Sequence, residues 1–438
     1  MNATKTISCL RALGALLLAV SGLAVAGPAI EHWVAPSGVR VYFVENHALP
    51  MLDVRIDFPA GSASDPGGKS GLASLTHALL DLGAGGMDEN ALADRLADLG
   101  AQISGGVDMD RASVSLRTLS AQETREKALE VFRAVLSAPE FPADVFEREK
   151  ARSIASLKES LTRPGTIAAR AFRAALYPDH AYGRSATPES IALIARGDLQ
   201  AFYRTHYGAG GASLTIVGDL GRDEAEALAQ KLTAGLPASA GLPDRRMSAP
   251  GLPAGGERRI AHPAAQAHVL IGMPAIKRGD PDFFALQVGN YTLGGGGFVS
   301  RLMREVREKR GFAYSVYSAF IPLKQPGPFQ IGLQTRKEQA DEALRVARET
   351  LARFLAEGPD ESELQAAKQY LSGSFPLRLD SNGKIADNVS TIGFYGLPLD
   401  YLDTYMDKVE EVTAAEVRAA FARRLKPENL VTVVVGGA

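Results

Sequence analysis

GLASLTHALLDLGAGG, from Gly71 to Gly86, sets Leu72, Leu75, Leu79 and Leu82 at helical spacing and closes on glycines that a helix does not tolerate. The spacing predicts a helix over 71–82. Upstream, PSGVRVYFVEN (36–46) and MLDVRIDFPAGS (51–62) alternate apolar and polar residues like neighbouring strands. Downstream come a second helical segment over 89–99, strands at AQISGGVDMD (101–110) and RASVSLRTLS (111–120), and two long helices.

The second half of the chain repeats this order. Strand AHVLIGMPA (267–275) precedes helices over 281–293 and 300–309, then strands FAYSVYSAF (312–320) and GPFQIGLQTR (327–336), then two long helices. Phe146 and Lys150 in PADVFEREK pair with Leu364 and Lys368 in DESELQAAK, and both differences, 364 − 146 and 368 − 150, equal 218. The same shift brings GGASLTIVGD onto PENLVTVVVGG. The expected fold class is therefore mixed α/β (α+β), in two homologous halves over 27–235 and 261–438. A linker rich in proline and glycine, over 236–260, separates them.

Composition narrows the function. With 438 residues and 46% hydrophobic side chains the chain can bury more than one core. Its 48 basic and 50 acidic residues leave a formal charge of −2, so no basic field is available to hold nucleic acid. Lys5 and Arg11 precede the apolar run ALGALLLAVSGLAVA, which ends in Ala24-Val25-Ala26. This pattern predicts a secretory leader over 1–26, cut after Ala26. A spanning anchor fits less well, because Gly14 and Gly22 interrupt a run already near the lower limit for crossing a bilayer. The one cysteine, Cys9, leaves with the leader, so the mature chain has no disulfide or thiol chemistry. The expected location is the periplasm, with no stable membrane anchor.

Gly71-Leu72-Ala73-Ser74-Leu75-Thr76-His77-Ala78 resembles the G-L-A-H-x-x-E-H segment of the pitrilysin-type (M16) zinc peptidases in their short form, which works as paired subunits. In that family the two histidines and a later glutamate hold zinc, and the glutamate between the histidines is the general base. Here the histidine positions hold Ser74 and Ala78, and the base position holds His77. The later R-E-x6-E pattern matches Arg148-Glu149 and then meets Ser156. A catalytic zinc needs three protein ligands, so the resemblance implies no metal and no cofactor in this chain. Ser74, His77 and Asp81, at i, i+3 and i+7 of the expected helix, superficially offer nucleophile, base and orienter. Parallel side chains on one helix do not converge in that way. Gly68-Lys69-Ser70 ends like a phosphate loop, but position 63 is Ala63 and Pro66 interrupts the turn, so a plain turn into a helix is expected.

The second half keeps a pattern of its own, LGGGGFVSRLMREVREKRGFAYSVYS over 293–318. The same resemblance implies that Arg307 and Tyr314 face the zinc cleft of a catalytic half. There a phenol O–H can stabilise a developing oxyanion, and a guanidinium can hold a neighbouring peptide carbonyl. Taken alone, Arg307 fits equally as a helix C-terminal cap and Tyr314 as a half-buried strand residue. Gly294 to Gly297 is expected either as a place of close approach to a peptide backbone or as a plain turn. The chain is thus expected to be the non-catalytic subunit of a heterodimeric metallopeptidase, inactive alone. Its partners would be a homologous zinc-bearing subunit and a peptide substrate. A structural or peptide-binding scaffold with no role in catalysis is the alternative.

Overall fold

The computed structural model describes residues 27–238 and 247–436. The expected leader and its cut lie outside these residues, as does part of the expected linker. Each half is built on one sheet. The first half runs through β1 (Glu31–Val34), β2 (Arg40–Glu45), β3 (Met51–Phe58), a small hairpin β4 (Gly83–Ala84) and β5 (Met87–Asp88), β6 (Gln102–Val107), β7 (Ala112–Leu119) and β8 (Ser213–Gly218). The second runs through β9 (Gly256–Ile260), β10 (Gln266–Ile276), β11 (Ala313–Phe320), β12 (Gly327–Arg336) and β13 (Val431–Val435). The sheet orders are β1-β2-β8-β3-β7-β6 and β11-β12-β10-β13-β9. Read from the opposite end, β6-β7-β3-β8-β2 matches the second sheet strand for strand. In each sheet the early strand pairs parallel with the late one, β2 with β8 and β9 with β13.

Two features depart from the sequence expectation. The strands at 40–45 and 51–58 are not neighbours, because β8 lies between them, parallel to β2 and antiparallel to β3. Alternation shows that a strand has two faces and does not identify its partner. All six residues of β8 are buried, and such a strand belongs in the sheet interior. Within the expected linker, Gly256–Ile260 forms an edge strand whose GERRI sequence is mostly exposed and carries no apolar period. Adding the repeat shift of 218 to Arg40 of β2 gives Arg258, inside this strand.

The halves complete one another through exchanged helices. Pro164–Leu176, from the first half, lies on β10 and β13 of the second sheet. There Ala168, Phe172 and Leu176 bury Val431, Val433 and Val435. Its repeat counterpart Asn382–Tyr395 lies on β2, β3 and β8 of the first sheet. Ser381 caps that helix through its side chain, and Gly396, at φ 67°, ends it in the left-handed region. Its contact face mixes apolar residues, Ile385, Ala386, Val389 and Ile392, with a polar network. Arg55 reaches Asp387 at 2.5 Å, and the fully buried Asp57 accepts from Ser113 at 2.5 Å and from Ser390 at 2.6 Å. One face of each sheet is covered by a helix of the other half.

Candidate functional site

The helix that opens the first half spans Leu72–Ala78, shorter than the expected 71–82. Asp65 caps its start, accepting from the Gly71 and Ala73 amides, both at 2.7 Å. Burial pushes the Asp65 carboxyl up while those amides oppose the shift. The helix stops because Gly83, Gly85 and Gly86 all take positive φ to form the β4–β5 hairpin. Asp81 therefore lies beyond the helix.

Leu72, Ala73, Leu75 and Thr76 point into the core, leaving Ser74 and Ala78 exposed and His77 half-buried. The His77 ring is turned onto its own sheet, and its Nε2 donates to the Ser113 carbonyl of β7 at 2.8 Å. Gly105 of β6 makes room for it, since a Cβ there would lie 2.8 Å from Nε2. Ser156 is exposed on the Ala143–Ser160 helix. A hydroxyl, a methyl and a second hydroxyl do not fit zinc, whose ligands are thiolate, imidazole and carboxylate. Among the described residues, no three His, Cys, Asp or Glu side chains are grouped to hold a metal ion. Lys69, in the partial phosphate-loop pattern, pairs with Asp198 at 2.6 Å.

In the second half the glycine run is packed at Gly294 and open at Gly297, where a Cβ would meet nothing within 4 Å. A Cβ on Gly294 would lie 2.5 Å from the Ser318 amide of β11, so the close approach is to the chain's own strand. Tyr291–Gly295 and Met303–Glu308 both form π-helical turns where ordinary helix is expected. The second turn carries Arg307. Neighbouring cations in this stretch are paired: Arg301 and Arg304 with Glu363, Lys309 and Arg310 with Glu305. The Lys309 and Arg310 bridges hold the Glu305 carboxyl down at about 2. Among the described residues Arg307 pairs with no carboxylate. Its guanidinium lies instead between two rings, 4.6 Å from the Phe298 centroid and 4.9 Å from that of Tyr314. Arg307 also lies in the last turn of its helix, as the cap reading requires.

Tyr314 is not half-buried. It is 83% exposed, and Phe298 is 62% exposed. The structure thus brings Arg307 and Tyr314 together on an outer surface and adds Phe298, which sequence reasoning missed. Its only signal was an aromatic residue directly after the glycine run.

Two family models cover most of the chain. One, described as Insulinase (Peptidase family M16), matches residues 40–188, and the other, Peptidase M16 inactive domain, matches residues 194–371. The crystal structure of a peptidase M16 inactive domain from Pseudomonas fluorescens is 39% identical, with a TM-score of 0.89 over 93% of this chain and 98% of that one. A non-peptidase homolog, YmxG, from Helicobacter pylori is 25% identical over 91% of each chain. The beta subunit of the mitochondrial-processing peptidase of Blastocladiella emersonii is 22% identical over 92% of this chain and 87% of its own.

Proposed function

The chain belongs to the M16 peptidase family and carries none of its zinc ligands at the matching positions, and from that premise we propose that it is the non-catalytic subunit of a paired M16 metallopeptidase. In this reading it works in the periplasm beside a homologous zinc-bearing subunit. The observation that carries the proposal is the outward pair: a guanidinium without a carboxylate, braced between two rings, beside an exposed phenol. Tyr314 would donate its O–H to the oxygen on which charge develops during attack on a peptide carbonyl. Arg307 would donate to a neighbouring backbone carbonyl and fix the register of the peptide. Arg307 is a donor only and Tyr314 can donate its O–H, which suits an acceptor-rich peptide backbone. The names of the relatives support a non-peptidase member and a subunit-type assembly.

Co-expression with a homologous secreted chain that has an intact H-x-x-E-H tests the proposal. The expected result is a mixed complex by size, one zinc per pair, and peptide hydrolysis only when both chains are present. A chain that stays apart from every such homologue, or that binds stoichiometric zinc and cleaves peptide alone, contradicts it.

A further inference from the structure

Four aromatic residues of the second half, Phe283, Phe375, Tyr401 and Tyr405, wall a cavity of about 280 Å3 that two arginines, Arg278 and Arg378, also border. Arg278 lies face-on to Tyr395, 5.3 Å from its centroid, and its Nε is buried without a hydrogen-bond partner. Arg378 lies 5.7 Å from the Tyr405 centroid and reaches that hydroxyl at 3.4 Å. Among the described residues neither guanidinium pairs with a carboxylate. Asp387 borders the same space but is bound to Arg55 at 2.5 Å. A second cavity, of about 420 Å3, shares Arg278 and Tyr401 as walls, so the guanidinium stands between two hollows.

The buried Nε of Arg278 loses hydration that no protein group replaces, which favours an anion from outside, and Arg378 stands exposed at the border of the same space. Arg278 leaves its Nε unpartnered and Arg378 spends one Nη on the Tyr405 hydroxyl, so both retain N–H groups in the fork geometry that suits a carboxylate. Burial pushes the Tyr401 hydroxyl up to about 12, so it remains a donor at neutral pH. The remaining wall is largely ring and aliphatic carbon, which matches a ligand with one charged end and an apolar body. The volume lies just below the usual range for ligand cavities, roughly 300–1,000 Å3, and suits a single residue.

We propose that this cavity binds an apolar carboxylate of about amino-acid size, its carboxylate on Arg278 and Arg378 and its body among the four rings. Neither Arg307 nor Tyr314 borders it, so the proposal stands or falls independently of the paired-subunit reading.

Calorimetric titration of the full mature chain tests it with three probes: N-acetylphenylalanine, the corresponding amide, and inorganic phosphate. The acid should bind saturably, and the amide, with the same body and no charge, about tenfold or more weakly. Phosphate should bind more weakly than the acid. Arg278→Gln and Arg378→Gln should each weaken the acid about tenfold while leaving the amide unchanged, with thermal unfolding confirming that each variant is folded. A short peptide ending in phenylalanine separates the two sources of such a group: tighter binding than the acid assigns the site to chain termini, weaker binding to free amino-acid derivatives. Equal affinity for acid and amide, tighter binding of phosphate, or full affinity in both folded variants overturns the proposal.

Discussion

His77 and Arg307 are polar side chains of the two halves whose surroundings differ. The first donates into its own sheet, to Ser113 of β7, in space that Gly105 leaves open. The second, also half-buried, has its guanidinium between two exposed rings, Phe298 and Tyr314 of β11. Nearby carboxylates accentuate the contrast. Glu305 and Glu363 are taken up by Arg301, Arg304, Lys309 and Arg310, and among the described residues no carboxylate pairs with Arg307. A group whose hydrogen bonds are closed internally contributes to stability. One whose donors remain open can contribute to binding. In this chain the residue at the family's base position, His77, has become part of the packing, while Tyr314 of the second half is left exposed.

The shared frame gives the largest expected effect. Asp57 is fully buried among Ser113, Ser390, Arg55 and Arg111, so Asp57→Ala strands buried donors from both halves. A loss of about 3–5 kcal/mol in urea unfolding is expected; a loss below about 1 kcal/mol would show that the exchanged helix does not depend on this network. His77→Ala should cost less, about 1–2 kcal/mol, because one half-buried bond goes and the Ser113 carbonyl is left without it. The same variant should leave the peptidase rate of a reconstituted complex within a few-fold of the parent. A fall of about 10²-fold with normal assembly would make His77 a catalytic base and break the comparison.

Glu305 sharpens it on the other side. Its folded pKa, lowered to about 2 by Lys309 first and Arg310 second, lies below the ordinary glutamate value of 4.5. Its contribution to stability is therefore fully present above the unfolded value and is lost as pH falls toward 2. Glu305→Gln has no such dependence. The stability difference between parent and variant, measured by urea unfolding at about pH 5 and about pH 3, should shrink at the lower pH. A constant difference would mean that the two bridges contribute nothing. Smallest is the effect of Phe298→Ala. Removing one ring from the Arg307 stack forfeits about 0.5–1 kcal/mol of cation–π attraction and should raise the KM of the complex by about two- to fivefold. An unchanged KM with intact assembly would show that Phe298 does not brace Arg307 for binding.

The sequence carried the repeat, the strand and helix order and the mixed α/β class, because apolar periodicity and a constant shift of 218 are local properties that survive in one chain. Strand partners were less legible. Nothing local to Arg40–Glu45 indicates that β8, far along the chain, inserts beside it. Gly256–Ile260 escaped because an exposed edge strand needs no apolar alternation, although the repeat shift pointed at it. At the candidate site, the residue types at Ser74, Ala78 and Ser156 already argued against zinc. The orientation of His77 did not follow from its spacing, since it depends on the space at Gly105 across the sheet. The Phe298 stack likewise needs the π-helical turn at Met303–Glu308, for which the sequence offers no period.

Tyr314→Phe, assayed in complex with a zinc-bearing homologue, tests the central claim most directly. The variant removes one hydroxyl from a side chain that is 83% exposed, so folding and assembly should be unchanged, as size measurement would verify. If the phenol donates to the developing oxyanion, kcat should fall with little change in KM. A single such donor is worth roughly 10²–10³ in rate, and less where a metal shares the charge. A complex that assembles normally and cleaves peptide at the parent kcat would contradict the account and leave this chain a scaffold.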